Sequence, residues 1–108
     1  MFVADEVQTG LGRTGRFLAV EYWNVEPDMV LLAKTLSGGH VPVGALLTRK
    51  WIFDKVFDRM ERAVAHGSTF GTNDLAMAAG IATLDVLKSE HLVEKSSADR
   101  RTIAARLY

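Results

Sequence analysis

Two short apolar runs, each ending on charge, constrain this chain more than any other feature. Phe2-Val3-Ala4 leads into Asp5-Glu6, and Met29-Val30-Leu31-Leu32-Ala33 leads into Lys34. The first fits a strand buried on both faces that delivers carboxylates at its C-terminal end. The second, bounded by Pro27-Asp28 before it and Gly38-Gly39 after it, is the clearest strand in the chain. In open α/β sheets, ligands sit beyond the carboxyl ends of the strands. Asp5 and Lys34 are therefore expected where solvent is sparse and functional groups can be aimed.

The remaining pattern fills in an α/β layer. Gln8 to Arg16 holds three glycines and no apolar period, so it reads as a loop. Phe17 to Trp23 predicts a short helix, with Asn24 placed for a left-handed C-terminal residue and Pro27 soon after. Val43 to Thr48 is a third strand candidate. The link from Ala33 to Ala45 shows no helix, and a parallel crossover usually needs one, so an antiparallel edge strand is expected. Ile52, Val56 and Met60 recur four apart beside Phe53 and Phe57, which predicts an amphipathic helix over 50–60. Asn73 can cap a helix running to about Ser89, apolar nearly all round from Leu75 to Ala82 and so expected to be buried. A last helix starts near His91, and its apolar positions Ile103, Leu107 and Tyr108 leave the pattern unfinished.

Composition excludes several kinds of function. The 108 residues are 48% hydrophobic, enough for a core, and 13 basic residues balance 13 acidic ones. No net field draws the chain to nucleic acid or an anionic membrane. With no cysteine there is no disulfide framework, thiolate metal site or cysteine nucleophile. No apolar run approaches the roughly 20 residues that cross a bilayer, and no targeting segment opens the chain, so a cytoplasmic location is expected. His40, His66 and His91 lack ligand spacing on one helical face, which argues against zinc. Arg100-Arg101 is too short for a nucleic-acid patch.

A lysine amine can condense with an aldehyde cofactor, and an aspartate beside a pyridine nitrogen favours its protonated form. Asp5 and Lys34 supply that pair. Taken singly, each is commonplace: an Asp at a strand end is usually a turn residue, and a Lys after a strand is usually solvated. The surrounding motifs decide. Asp5-Glu6-Val7-Gln8-Thr9-Gly10 with Gly12-Arg13-Thr14-Gly15, Glu26-Pro27-Asp28 before Ala33-Lys34, Gly38-Gly39 with Pro42-Val43-Gly44-Ala45, and His66-Gly67-Ser68-Thr69-Phe70-Gly71 occur in order. Together they resemble the class III aminotransferases of pyridoxal-phosphate fold type I. The lysine lies 29 positions after the aspartate, which agrees with that family.

The resemblance implies a fold, a cofactor and roles. The fold would be α/β, with residues 1–108 forming part of the mainly parallel sheet and flanking helices of the cofactor-binding large domain, incomplete at both ends. The cofactor would be pyridoxal 5'-phosphate. Asp5 would hold its ring nitrogen and Gln8 would approach its phenolic oxygen. Lys34 would bind it as an imine and later move the substrate proton. Thr69 would bond the phosphate of the cofactor in the other subunit of a homodimer, with Ser68 as a weaker neighbour. Partners would be an amino donor and a 2-oxo acid acceptor in ping-pong exchange, with no nucleic acid and no membrane. Aminomutases and decarboxylases of the same family, or a non-catalytic remnant, are the alternative readings. A glycine-rich phosphate loop, a ring-stacking aromatic residue and a C-terminal domain are also family requirements that these residues do not carry. The 108 residues alone are therefore expected to show no useful turnover.

Departures and a rival motif complete the reading. Thr72-Asn73-Asp74 stands where the family usually has Gly-Asn-Pro, and His40 stands where a small or apolar residue is usual. His40 reads first as a loop variant and second as a substrate contact. Asn24 replaces a frequent glycine and keeps left-handed geometry available. Arg13 and Arg16 read as loop-stabilising before anion-binding. Gly10-Leu11-Gly12-Arg13-Thr14-Gly15 also satisfies the dinucleotide fingerprint G-x-G-x-x-G. Its context is wrong, because Asp5, Glu6 and Gln8 separate it from the strand and would set negative charge beside a diphosphate.

Overall fold

The computed structural model describes residues 1–64 and 66–107. Three strands, β1 (Val3–Asp5), β2 (Met29–Leu32) and β3 (Ala45–Thr48), form one sheet in chain order. β1 and β2 are parallel, with Val3 opposite Met29 and Asp5 opposite Leu31. β2 and β3 are antiparallel, with Leu32 opposite Ala45 and Met29 opposite Thr48. The expected antiparallel edge strand is present, reached without an α-helix, and the sheet is mixed.

Asp28 ties the other end of this sheet. Its Oδ2 accepts from Phe2 N at 2.7 Å, and its backbone carbonyl accepts from Arg49 N at 3.1 Å. The Arg49 guanidinium meets Glu26 at 2.8 Å and Asp28 at 3.9 Å. One acidic residue before β2 thus joins the entrance to β1 and the exit from β3.

β1 is not buried on both faces, because Val3 is 44% exposed while Ala4 is 7%. Only one face of the sheet is covered among the described residues. Its core is Ala4, Leu11, Val20, Val30 and Leu32, with Leu18, Leu36, Ala45 and Leu87 packed against it. Burial of each large member contributes on the order of 1.5–3 kcal/mol. Leu11 comes from the glycine-rich stretch and has a left-handed backbone, φ 59°. That stretch is a loop, as its composition predicts, but an inward-folded one.

The short helix after the loop is a 3-10 turn at Ala19–Trp23, and Asn24 follows it in the left-handed region at φ 51°. Helix α1 (Lys50–Val56) is shorter than the predicted 50–60 span, and a separate 3-10 turn covers Met60–Arg62. Helices persist chiefly by packing an apolar face. Here Ile52 is the one fully buried position of the helix among the described residues, while Val56 and Met60 are exposed, so little apolar contact holds the second half. Helix α2 (Asp74–Ser89) has the expected cap, with Asn73 accepting from Ala76 N at 2.9 Å. Its expected burial is not found. Ala76 is buried, but Leu75 and Ile81 are 69% and 62% exposed, because α2 packs one side against residues 34–37 and leaves the other open. Helix α3 (Leu92–Leu107) matches the predicted last helix. Of the apolar positions expected to continue its pattern, Tyr108 and the side chains of Ile103 and Leu107 lie outside the described residues.

Candidate functional site

Parallel pairing brings the C-terminal ends of β1 and β2 side by side, so Asp5 and Lys34 project from one sheet edge. The ladder runs one residue past β1, where Glu6 N donates to Leu31 O at 3.0 Å. Glu6 then turns inward. It is 4% exposed, and its carboxylate accepts from Val20 N at 2.8 Å and from the Thr9 hydroxyl. Its backbone carbonyl accepts from Gly10 N at 2.9 Å. The sequence presents Asp5 and Glu6 as equal carboxylates, but the fold makes one a surface group and the other the pin of the loop.

That pin directs Gln8. The Lys34 ammonium donates to Oε1 of Gln8, bringing two of the expected residues into contact. Asp5 stands nearby on the adjoining strand, with Oδ1 accepting from Val7 N at 3.1 Å. No ion pair joins Asp5 to Lys34 among the described residues. Asp5, Gln8 and Lys34 are all exposed, contrary to the expectation of a solvent-poor edge. The cause is the one-sided cover already seen in β1.

Lys34 opens a 3-10 turn, Lys34–Ser37, with a left-handed backbone at φ 49°. A side chain in that region costs about 1–2 kcal/mol, and such strain persists only when neighbours hold it. Leu36 N bonds Ala33 O at 3.0 Å and Gly38 N bonds Thr35 O at 2.9 Å. Ser37 is buried, with its hydroxyl bonded to the carbonyl and the N–H of Val41. Gly38 and Gly39, both at positive φ, turn the chain back toward β3.

An open cavity of about 690 Å³ lies beside this turn, lined by Arg13, Lys34, Gly38, His40 and Val43 among others. His40 thus faces the same space as the lysine. Ser68 lines a separate cavity of about 410 Å³ that shares Pro42 and Val43 with the first. Ser68 also makes a turn contact, its carbonyl accepting from Gly71 N at 3.1 Å. Thr69 is exposed and lines neither cavity, so the fold does not bring it to Lys34.

The rival glycine motif has another use. A Cβ on Gly10 would lie 2.8 Å from both Glu6 O and a Leu32 methyl. One on Gly12 would lie 2.9 Å from a Val93 methyl, and one on Gly15 2.8 Å from Ser97 Cα. These glycines admit core and α3 atoms, and no helix begins at Gly15 to face a phosphate. Glu6, Ser37 and the close approach of α3 escaped the sequence reading. Two of these involve polar residues in a polar stretch, and the third is a contact between segments about eighty residues apart.

The mitochondrial ornithine aminotransferase of Rattus norvegicus is 50% identical over 96 residues, covering 89% of this chain and 21% of the relative. The structure of the Toxoplasma gondii ornithine aminotransferase, described with partial occupancy of PLP at its active site, superposes with a TM-score of 0.77 at 46% identity. That match covers 85% of this chain and 20% of the other. An S-selective transaminase from Arthrobacter sp. superposes with a TM-score of 0.88 at 35% identity, over 97% of this chain and 22% of the other. The chain thus spans about a fifth of the length of the relatives it matches. The family model described as aminotransferase class-III matches residues 1–108, and the chain belongs to that family.

Proposed function

We propose that this chain is the cofactor-binding region of a pyridoxal 5'-phosphate-dependent transaminase, which exchanges an amino group between an amine or amino acid and a 2-oxo acid. The observation that carries the proposal is the Lys34–Gln8 contact at the C-terminal edge of two parallel strands, with Asp5 on the adjoining strand end. The donor set fits the cofactor: a primary amine and an amide meet there, a carboxylate ends the adjoining strand, and no ion pair joins Asp5 to Lys34 among the described residues. When bound, pyridoxal phosphate supplies a ring able to take up the electrons released at a substrate α-carbon. Asp5 would hold the ring nitrogen and favour its protonated form, and Gln8 would bond the phenolic oxygen. Lys34 would hold the cofactor through its amine and, once released by substrate, would be the base placed to move the substrate proton.

Thr69 is proposed to bond the cofactor phosphate of a second subunit, with Ser68 beside it, in a cytoplasmic homodimer. Support for Thr69 is its exposure and its position outside both cavities of its own chain. The experiment adds pyridoxal 5'-phosphate, reduces with borohydride and maps the adduct by peptide mass. Adduct at Lys34, abolished in Lys34→Ala, is the expected result. Adduct spread evenly over surface lysines would sink the proposal.

A further inference from the structure

The loop that carries Gln8 reaches the lysine a second time, through Arg13. Nη2 of Arg13 donates to Oγ1 of Thr35 at 3.2 Å, one peptide bond beyond Lys34. The backbone bonds from Leu36 and Gly38 hold the turn from its C-terminal side. Arg13 holds it from the side of the loop.

Arg13 is itself backed by α3. The Ser96 hydroxyl donates to Arg13 O at 3.4 Å, and Val93 and Ser97 press against the glycines on either side. Its guanidinium forms no ion pair among the described residues and lines the same cavity as Lys34. A planar guanidinium bonded to a neutral hydroxyl fixes the direction of the turn without neutralising charge near the lysine.

We infer that Arg13 is a positioning residue for Lys34: acting through Thr35, it holds the left-handed turn so that the Lys34 amine stays aimed at Gln8 and the cavity. The inference deepens the proposed function and rests on Lys34 being the cofactor-binding amine. Arg13 does not touch the amine. Its effect passes through one hydroxyl and one peptide unit, so loss of either end of the Arg13–Thr35 bond should have the same consequence.

The test uses Arg13→Met and Thr35→Val, which keep size and remove the bond, their double variant, and Thr35→Ser, which keeps the hydroxyl. One arm needs no cofactor: acetylation of lysines is timed by peptide mass, with Lys50 and Lys88 as internal references. The other arm reads borohydride-stable capture of pyridoxal 5'-phosphate at Lys34. Each bond-breaking variant is expected to speed Lys34 acetylation about threefold and to slow capture about tenfold, the scale of one lost hydrogen bond to a charged group. The double variant should be no worse than either single, as for two ends of one interaction. Thr35→Ser should stay near the parent rate. Unchanged Lys34 rates, additive losses, or equal changes at Lys50 and Lys88 would overturn the inference. If the parent protein takes no cofactor at Lys34, the function proposal falls, while the acetylation arm still decides whether Arg13 positions the amine.

Discussion

Glu6 is the residue on which the site geometry depends most. Its buried carboxylate satisfies Val20 N, and its carbonyl satisfies Gly10 N, so it fixes both ends of the loop that presents Gln8. Glu6→Ala leaves a buried N–H without a partner and is expected to cost about 2–3 kcal/mol in urea denaturation. Glu6→Gln retains an acceptor and should lose less than half of that. A stability change below the error of the fit in Glu6→Ala would show that water replaces the carboxylate. The motif resemblance gave Asp5 a role and Glu6 none, and nothing in the sequence marked Glu6 as the buried one, because adjacent acids at a strand end differ only in which way the chain turns next. The end of β2 and the turn at Lys34 were legible for the opposite reason: a long apolar run stops there and paired glycines follow. The left-handed backbone of Lys34 was not legible, since lysine has no preference for that region.

The elements were read best where local chemistry decides them. Asn73 at the start of α2 accepts from Ala76 N, as its place before a run of helix formers predicts. Asn73→Ala is expected to cost about 1 kcal/mol and to lower the melting temperature by about 4 °C, whereas Asn73→Ser should sit within error of the parent. A calorimetric scan distinguishes them, and an unchanged midpoint for Asn73→Ala would mean that α2 is held by tertiary contacts alone. The element that failed is α1, where the apolar period extends past the helix. A period of four announces a face, but the face yields a helix only where another surface meets it. Beyond Val56 none does among the described residues. The same reasoning covers β1, whose apolar run reads as doubly buried although one side has no partner.

At the scale of the whole molecule, the chain is long rather than round. Its radius of gyration is 16.5 Å, with extents of 57 × 32 × 21 Å, against about 13 Å for a compact domain of this size. The excess comes with open apolar surface on α2, β3 and α1, including Leu46, Trp51, Leu75 and Ile81. Exposed surface of this kind binds hydrophobic dyes and promotes association. Leu75→Lys with Ile81→Lys is expected to lower dye fluorescence by about half and to raise the monomer fraction in sedimentation, and no change in either would place the sticky surface elsewhere. The reversal of the chain between β2 and β3 has a different consequence. Leu32 and Ala45 face each other across the sheet as the last rung of the β2–β3 ladder, so residues 33–44 form a closed loop with Lys34 two positions from that rung. Lengthening a flexible loop is inexpensive, about 0.6 kcal/mol for each doubling. Extra residues entering after Val41 would lengthen the return to β3 and leave both the Ser37–Val41 bonds and the rung where they are. The fold thus separates a part of the loop that is free to vary in length and chemistry from the turn that carries the Lys34 amine.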